Sequence, residues 1–327
     1  MIEVKGKCGI SAKIILDSVS AVTGDRMVTM EIEYPRIILS ELNTHRMLSK
    51  NSASSRAIPF DKMVENLKGI PVRFGQANKG MQDKGVDYKG LVKGSWGQIG
   101  VDPEVAWEDY KNQAVQASKA FKEAGYHKQV YNRITEPFQM MKTVISGTEW
   151  ANFFWLRCDE AADPSLQELA NCMKKAYDMS TPRTLQAGEW HLPYVPTMWR
   201  ASGQKFLLEG TQLFIKTEDA IKVSCARACA VSFRNTDYGL EKSKEVYQRL
   251  ISDSKIHGSA LEHAAQVMED SWEDYNDGHP LNMPDQPDTW QKGISHVDRN
   301  GNLWSGNIRG FIQFRKTIEG ENHDTYY

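Results

Sequence analysis

A strand and an apolar helix follow each other without a spacer near the N-terminus, and this pairing constrains the fold more than any other feature of the sequence. Residues 27 to 35, MVTMEIEYP, show the alternation and the proline boundary of a β-strand. The stretch PRIILSELN then carries an apolar stripe at helical spacing, with Pro35 at a favoured first helical position. The sequence therefore predicts a strand that leads directly into a buried helix.

That helix runs into a polar segment, THRMLSKNSASSR, at residues 44 to 56. The segment holds four serines, one histidine, one asparagine and three cationic side chains. One explanation is a helix that ends in a serine-rich loop, because cations near a helix C-terminus complement the helix dipole. A binding site is the other explanation, and the segment by itself does not decide between them.

Helices dominate the remaining pattern. We expect an amphipathic helix over 104–125, a helix from about Thr143 to Leu156, another from about Pro164 to Asp178, a buried helix over 218–233, an amphipathic helix over 240–255 and a short closing helix over 310–321. The glycine- and lysine-rich residues 75–100 predict a long loop insertion, and the acidic residues 271–308 predict a lid or insertion. The fold class expected is α+β, in a mostly helical single domain over 1–327.

Composition excludes some classes of function. The chain carries 40 Lys plus Arg against 42 Asp plus Glu, a net charge of −2, so we expect no polymeric nucleic acid and no membrane surface as a partner. The sequence shows neither a spanning apolar run nor a signal peptide, which predicts a soluble, cytoplasmic protein. The five cysteines suit reduced thiols, and Cys225 and Cys229 lack a second pair to complete a zinc site, so no metal is predicted.

Three further segments place a cation or a histidine among small polar residues. HKQVYNRITEP contains Arg133, TEWANFFWLRCDEA contains Asn152 and Arg157, and HGSALEH contains a histidine at each end. Each segment alone is explained by a surface cation or by a buried histidine. Together the arginines suit phosphate, which they bind in a bidentate way, while amides and hydroxyls can read a pyrimidine edge.

At this point the sequence resembles the flavin-dependent thymidylate synthases. That family's signature is Arg-His-Arg, seven residues and then Ser, with an Asn inside the seven and an Arg two positions beyond the Ser. Here it reads Thr44-His45-Arg46, Asn51, Ser54 and Arg56. The Arg133 segment and the Asn152–Arg157 segment follow at spacings similar to the family's. HGSALEH is similar to the family's His-x-Ser-Pro-Phe-Glu-His, and residues 230–233 are similar to its Ala-Arg-Val-Ser-Tyr. The resemblance covers about half the chain and implies a fold built around a small antiparallel sheet.

The resemblance also implies the roles of individual residues. Cofactor-binding residues are expected at His45, Arg46, Asn51, Asn152, Ser232, Ser259 and His263, with His257 also beside the flavin. Substrate-binding residues are expected at Glu41, Ser52, Ser54, Arg56, Arg133 and Arg157. Arg157, His257 and Ser54 are the expected catalytic residues, and Arg157 would ease the negative charge that develops on the pyrimidine ring.

The implied reaction is methylation of dUMP at C5, which yields dTMP. The implied cofactors are FAD, NADPH and 5,10-methylenetetrahydrofolate, and the implied assembly is a homotetramer. One alternative is a flavin- and folate-dependent hydroxymethylation of dUMP or dCMP. The other is a catalytically silent nucleotide-binding or structural protein with the same fold.

The sequence departs from the family pattern in composition and in order. Thr44 replaces the first signature Arg, Glu41 replaces a nucleotide-contacting Gln, Ser52 replaces a Glu, and Ala161 replaces a flavin-side His. Ala230 replaces the Arg of Ala-Arg-Val-Ser-Tyr. HGSALEH follows the signature here but precedes it in the family, which indicates a circular permutation. We therefore expect the chain from about residue 260 to pack beside strand 27–35 and to bring Ser259 and His257 towards Arg46.

Overall fold

The computed structural model describes residues 2–55, 58–83, 85–94, 97, 100–231, 239–251, 256–269 and 290–321. Within these ranges the fold is α+β, and none of the helices is long and apolar enough to cross a membrane. The α-helices are Leu39–Asn43 (α1), Phe60–Glu65 (α2), Pro103–Glu123 (α3), Lys128–Ile134 (α4), Ala151–Arg157 (α5), Pro164–Met179 (α6), Thr217–Ala230 (α7) and Leu240–Ile251 (α8).

The strands that accompany these helices differ in length. They are Glu3–Lys5 (β1), Ser11–Ser20 (β2), Arg26–Pro35 (β3), Ser49–Ser52 (β4), Val92–Lys93 (β5), Gly100–Val101 (β6), Met140–Gly147 (β7), Arg183–Leu185 (β8), Trp190–His191 (β9), Thr197–Arg200 (β10), Gly203–Leu207 (β11), Phe214–Ile215 (β12), Ala265–Val267 (β13), His296–Val297 (β14), Leu303–Ser305 (β15), Ile308–Arg309 (β16) and Phe311–Gln313 (β17).

The main sheet has the order β1-β2-β3-β7-β4, with antiparallel neighbours, and β8 joins β2 in parallel. Helix α6 packs on β2 and β3, where Met30 and Ile145 belong to one buried apolar cluster. Lys50 of β4 pairs with Ile145, and successive side chains of a strand point to opposite faces, so Asn51 points away from that cluster. Its amide nitrogen donates to the carbonyl of Ala228, 2.8 Å away, which places α7 on the second face.

The C-terminal chain packs against the same sheet. Strand β13 lies between β17 and β9, and its residues Ala265 and Val267 share an apolar cluster with Met27 of β3. The chain after residue 260 thus lies beside strand 27–35, as the altered segment order predicts.

Several predicted elements are confirmed, and three differ from the structure. The helix predicted to begin at Pro35 starts as a 3-10 turn at Arg36–Ile38 and continues as the five-residue α1, while Pro35 ends β3. The strand at 27–35 and the helices α3, α6, α7 and α8 occur close to their predicted bounds. The predicted helix from Thr143 to Leu156 is a strand up to Gly147 and becomes helical only at Ala151. Strand β7 lies between β3 and β4 and is buried on both faces, and such a strand gives the same continuous apolar run as a buried helix.

The predicted closing helix over 310–321 is the third difference. Phe311–Gln313 is a strand that pairs with β13, and a single 3-10 turn at Phe314–Thr317 follows it. Its apolar run is too short for periodicity to separate helix from strand. The sheet system is therefore larger than predicted.

The two predicted insertions differ in how much structure they contain. The described residues between 75 and 100 contain β5 and the start of β6, which pair with each other, and otherwise little regular structure. Of residues 271–308, the part from 290 onward forms the hairpins of β14, β15 and β16. Residues 271–289 lie outside the described residues.

Candidate active site

Arg157, the last residue of α5, reaches the polar segment that follows α1. Its Nε donates to Nε2 of His45 at 2.7 Å, and its Nη1 lies 3.9 Å from Oε2 of Glu41. Its Nη2 lies 3.5 Å from the Thr44 hydroxyl, at the limit of a hydrogen bond. The contact between α5 and the segment after α1 thus joins two stretches that are more than 100 residues apart.

His45 is held in one protonation state and one tautomer. Burial, together with the nearby charges of Arg157 and Lys50, lowers the pKa of His45 to about 4, so the ring is neutral at pH 7. Since Nε2 accepts from Arg157, the neutral ring carries its proton on Nδ1. The ring also meets Phe153 edge-on, with centroids 4.9 Å apart. His45 therefore has one hydrogen-bond donor left, at Nδ1.

Lys50 fixes the backbone of the same loop. Its ammonium donates to the carbonyl of Leu48 at 2.8 Å and to that of His45 at 2.5 Å. Burial lowers the pKa of Lys50 to about 8, and Glu262 partly opposes this shift. Through these two hydrogen bonds Lys50, on β4, fixes the backbone of residues 45–48.

A cleft of about 440 Å³ opens beside the Arg157–His45 pair. Its apolar lining comes from Met47, Leu48, Phe153, Leu156 and Trp304, and its polar lining from Thr44, His45, Arg46, Glu149, Asn152 and Arg157. Asn152, predicted to bind the cofactor, and Arg157, predicted to bind the nucleotide, line the same cleft. An apolar cleft with a few convergent polar groups is the usual form of a small-molecule site.

Asn51 connects the polar segment to HGSALEH. Its Oδ1 accepts a hydrogen bond from the Ser259 hydroxyl at 3.1 Å. Ser259 lies in the 3-10 helix Gly258–Glu262, and His257 immediately precedes that helix with an exposed side chain. These residues lie on the α7 side of the main sheet and do not line the cleft beside Arg157. HGSALEH thus meets the signature segment at Asn51, whereas Arg46, towards which Ser259 and His257 were predicted to lie, lines the cleft beside Arg157.

His263 lies inside the protein. Its Nδ1 is 2.9 Å from the Ser146 hydroxyl, which is 2.6 Å from the Thr29 hydroxyl, and this in turn is 2.9 Å from Nε2 of His191. Both histidines are fully buried, and burial lowers the pKa of each to about 3. Neutral His263 therefore belongs to a hydrogen-bonded network that joins β3, β7, β9 and the segment before β13.

The residues predicted to bind the phosphate lie outside the cleft beside Arg157. Ser54 is partly exposed, while the hydroxyl of Ser52 bonds to that of Thr143 at 2.8 Å. Arg133 is exposed on α4, and its neighbour Asn132 ties that helix to the serine segment by donating to the carbonyl of Ser55 at 2.7 Å. None of these residues lines the cleft beside Arg157.

Two predicted site residues cannot be placed. Arg56 and Ser232 lie outside the described residues. Arg56 directly follows the described part of the serine segment, and Ser232 directly follows Val231 at the end of α7.

The cleft residues to which sequence reasoning assigned no role are Met47, Leu48, Glu149, Phe153, Leu156 and Trp304. Trp304 belongs to β15, and its indole nitrogen donates to Asp298 at 3.0 Å. The turn after β15 is anchored to β4, because the Ser49 hydroxyl donates to Oδ1 of Asn307 at 3.2 Å. A tryptophan in a polar, glycine-rich segment was the available signal, since such rings often have a binding role.

No protein-family model and no curated protein matches the sequence. Among the described residues, no group of three or more His, Cys, Asp or Glu side chains is arranged to hold a metal ion. The assignment of a function therefore rests on the residues and on the geometry given above.

Proposed function

We propose that the protein is a flavin-dependent enzyme that methylates dUMP at C5, with 5,10-methylenetetrahydrofolate as the one-carbon donor and NADPH as the reductant. One observation carries the proposal. The segment 44–56 contacts the Asn152–Arg157 segment through His45, and it contacts HGSALEH through Asn51. These are the stretches on which the family resemblance rests, and a chance likeness of short motifs would not require them to touch.

The cleft suits a flavin ring. Met47, Phe153, Leu156 and Trp304 provide apolar walls. Nδ1 of His45 and the amide of Asn152 offer hydrogen-bonding groups for the polar edge of the ring. A cleft of about 440 Å³ is near the lower limit for small-molecule sites, so it is too small for a whole FAD together with a nucleotide. The rest of the cofactor would extend outside this cleft.

The chain's own residues supply positioning and charge, while the cofactors supply hydride and one-carbon transfer. The Arg157 guanidinium stabilises negative charge on a pyrimidine that lies against it. Neutral His45 orients that guanidinium through the 2.7 Å hydrogen bond and adds no competing positive charge at pH 7. Asn152, on the preceding turns of α5, binds the cofactor.

The state of the thiols supports a flavin route over a route with a cysteine nucleophile. All five cysteines are free, and burial raises the pKa of each thiol. Cys158, the cysteine next to Arg157 in sequence, is among them. A thiol with a raised pKa is protonated at pH 7, and the protonated form is not the nucleophile.

A second candidate, hydroxymethylation of dCMP, is favoured by one observation. Glu41 places a carboxylate 3.9 Å from the guanidinium of Arg157. Carboxylates accept hydrogen bonds from the N4 amino group of cytosine, whereas uracil has a carbonyl oxygen at that position. Glu41 would thus favour cytosine over uracil as the pyrimidine beside Arg157.

The test is to incubate the purified protein with FAD, NADPH, methylenetetrahydrofolate and either dUMP or dCMP, and then to weigh the nucleotide. A gain of one CH2 on dUMP is expected. A gain of CH2O on either nucleotide would identify the hydroxymethylase instead. A protein that takes up no FAD and leaves both nucleotides unchanged would refute both candidates and favour the catalytically silent alternative.

A further inference from the structure

A second cleft lies where β2, β3 and β7 face the C-terminal half of α7. It has a volume of about 380 Å³ and shares no lining residue with the cleft beside Arg157. Charged side chains from five parts of the chain line it together with aliphatic ones. The charged residues are Lys13, Glu31, Lys142, Glu209 and Arg227. This combination is typical of a site for a small ligand that carries a charge.

Arg227 supplies a buried cation at this cleft. Its side chain is 1% exposed, and its Nη1 donates to the carbonyl of Tyr194 at 2.5 Å. The same nitrogen lies 2.7 Å from Oε2 of Glu209, which belongs to the turn between β11 and β12 and is 57% exposed. A buried guanidinium requires a partner, and here one partner is a carboxylate on an exposed turn. Such a carboxylate can be exchanged for that of a ligand.

Tyr194 forms part of the wall and is held in a strained conformation. Its φ is +65°, in the left-handed region that side chains other than glycine rarely adopt. Its hydroxyl donates to Oε2 of Glu31 at 3.2 Å, and Oε1 of Glu31 pairs with Lys142 at 2.7 Å. Backbone strain of this kind persists where the surroundings over-determine it, often at ligand sites.

Of the five charged residues that line the cleft, three are cations and two are carboxylates. Glu31 is matched by Lys142 and Glu209 by Arg227, whereas Lys13 makes no ion pair with any residue in the described ranges. The aliphatic part of the lining includes Leu16 and Leu192. A ligand with one negative charge and a short apolar body matches both features.

We infer that this cleft is a second binding site, which takes a small organic acid whose carboxylate replaces that of Glu209 on Arg227. The site is independent of the proposed function, because it uses none of the residues assigned to the cofactor or the nucleotide. Lys13, which lines the same cleft, adds attraction for the anion.

The test is calorimetric titration of the full-length protein with butanoate, hexanoate, benzoate and inorganic phosphate. Glu209→Ala removes the competing carboxylate from an exposed turn, so it should bind the monocarboxylates about tenfold more tightly than the unmodified chain does. Lys13→Ala should weaken binding severalfold. Lys5→Ala is the matched control, because this lysine on the neighbouring strand is 77% exposed and pairs only weakly with Glu3.

Three results would overturn the inference. They are equal affinity of Glu209→Ala and the unmodified chain, absence of binding to Glu209→Ala at about 10 mM ligand, and phosphate binding as tight as that of the carboxylates. Arg157→Ala lies at the other cleft and should leave carboxylate affinity unchanged. A loss of carboxylate binding in that variant would move the ligand to the first cleft and would also refute the second site.

Discussion

Replacing Arg157 with alanine removes the side chain that connects α5 to His45 and Glu41 at the cleft beside Arg157. The variant deletes the donor to His45 and the cation beside Glu41. The side chain of Arg157 is 22% exposed and lies at the end of α5, so its removal leaves no large cavity in the core. We expect a folded variant that binds FAD and has lost most of its nucleotide affinity.

The magnitude follows from the contacts. A hydrogen bond to a charged group contributes about 1.5–3 kcal/mol, which corresponds to about a tenfold to hundredfold loss of nucleotide affinity. The pair with Glu41 adds little to stability, because its atoms are 3.9 Å apart and the carboxylate is 46% exposed. The loss in turnover should exceed the loss in affinity, since the cation also acts on charge that develops during the reaction.

The variant should also shift a titration. One of the two positive charges that lower the pKa of His45 disappears, so that pKa should rise above its present value of about 4. The rise stays limited, because burial is the larger cause and remains in the variant. Histidine NMR spectra recorded against pH measure this shift independently of any activity.

Flavin absorbance, calorimetry with dUMP and product mass are the three assays. Arg249→Ala is the matched control, because this arginine on α8 is 71% exposed and its replacement should change each quantity by less than about twofold. Arg157→Lys keeps the charge but loses the guanidinium fork, so an intermediate loss is expected. Unchanged turnover and nucleotide affinity in Arg157→Ala would show that the arginine is only structural and that the proposed nucleotide site is wrong.

Three other predictions concern different parts of the chain. Ser259→Ala removes the hydrogen bond to Asn51 and should weaken FAD binding by about twofold to tenfold while dUMP affinity is retained, as titration of each ligand would show. Thr29→Val leaves its buried partner His191 unsatisfied and should lower the free energy of unfolding by about 1–3 kcal/mol, measured with urea; an unchanged midpoint would contradict this. Burial lowers the pKa of His191 and His263 to about 3, so below pH 6.5 the unfolded chain binds more protons than the folded chain. The free energy of unfolding should therefore fall as the pH drops from 6.5 towards 3. A free energy of unfolding that stays constant between pH 7 and 5 would refute this.

The candidate site was predictable in its residue types and only partly in its geometry. His45 and Arg157 were identified from sequence, and they do meet. His263 was assigned to the cofactor, but it is fully buried and bonds to Ser146. A sequence motif specifies which side chain occurs at a position and not which neighbours will cover it. Trp304 was missed because the residues around it in the sequence do not indicate that it lines the same cleft as α5.

The sequence by itself determined the elements whose signal is local. The alternation of residues 27–35 places every second side chain on one face of a strand, and the stripes of α3 and α6 place side chains three or four positions apart on one face of a helix. Both patterns are properties of a single element. Only the tertiary structure decided that Thr143–Gly147 is a strand, that Ser259 meets Asn51, and that Arg157 shares a cleft with Asn152. These outcomes depend on strand register and on packing between residues far apart in the chain, which a periodic pattern does not encode.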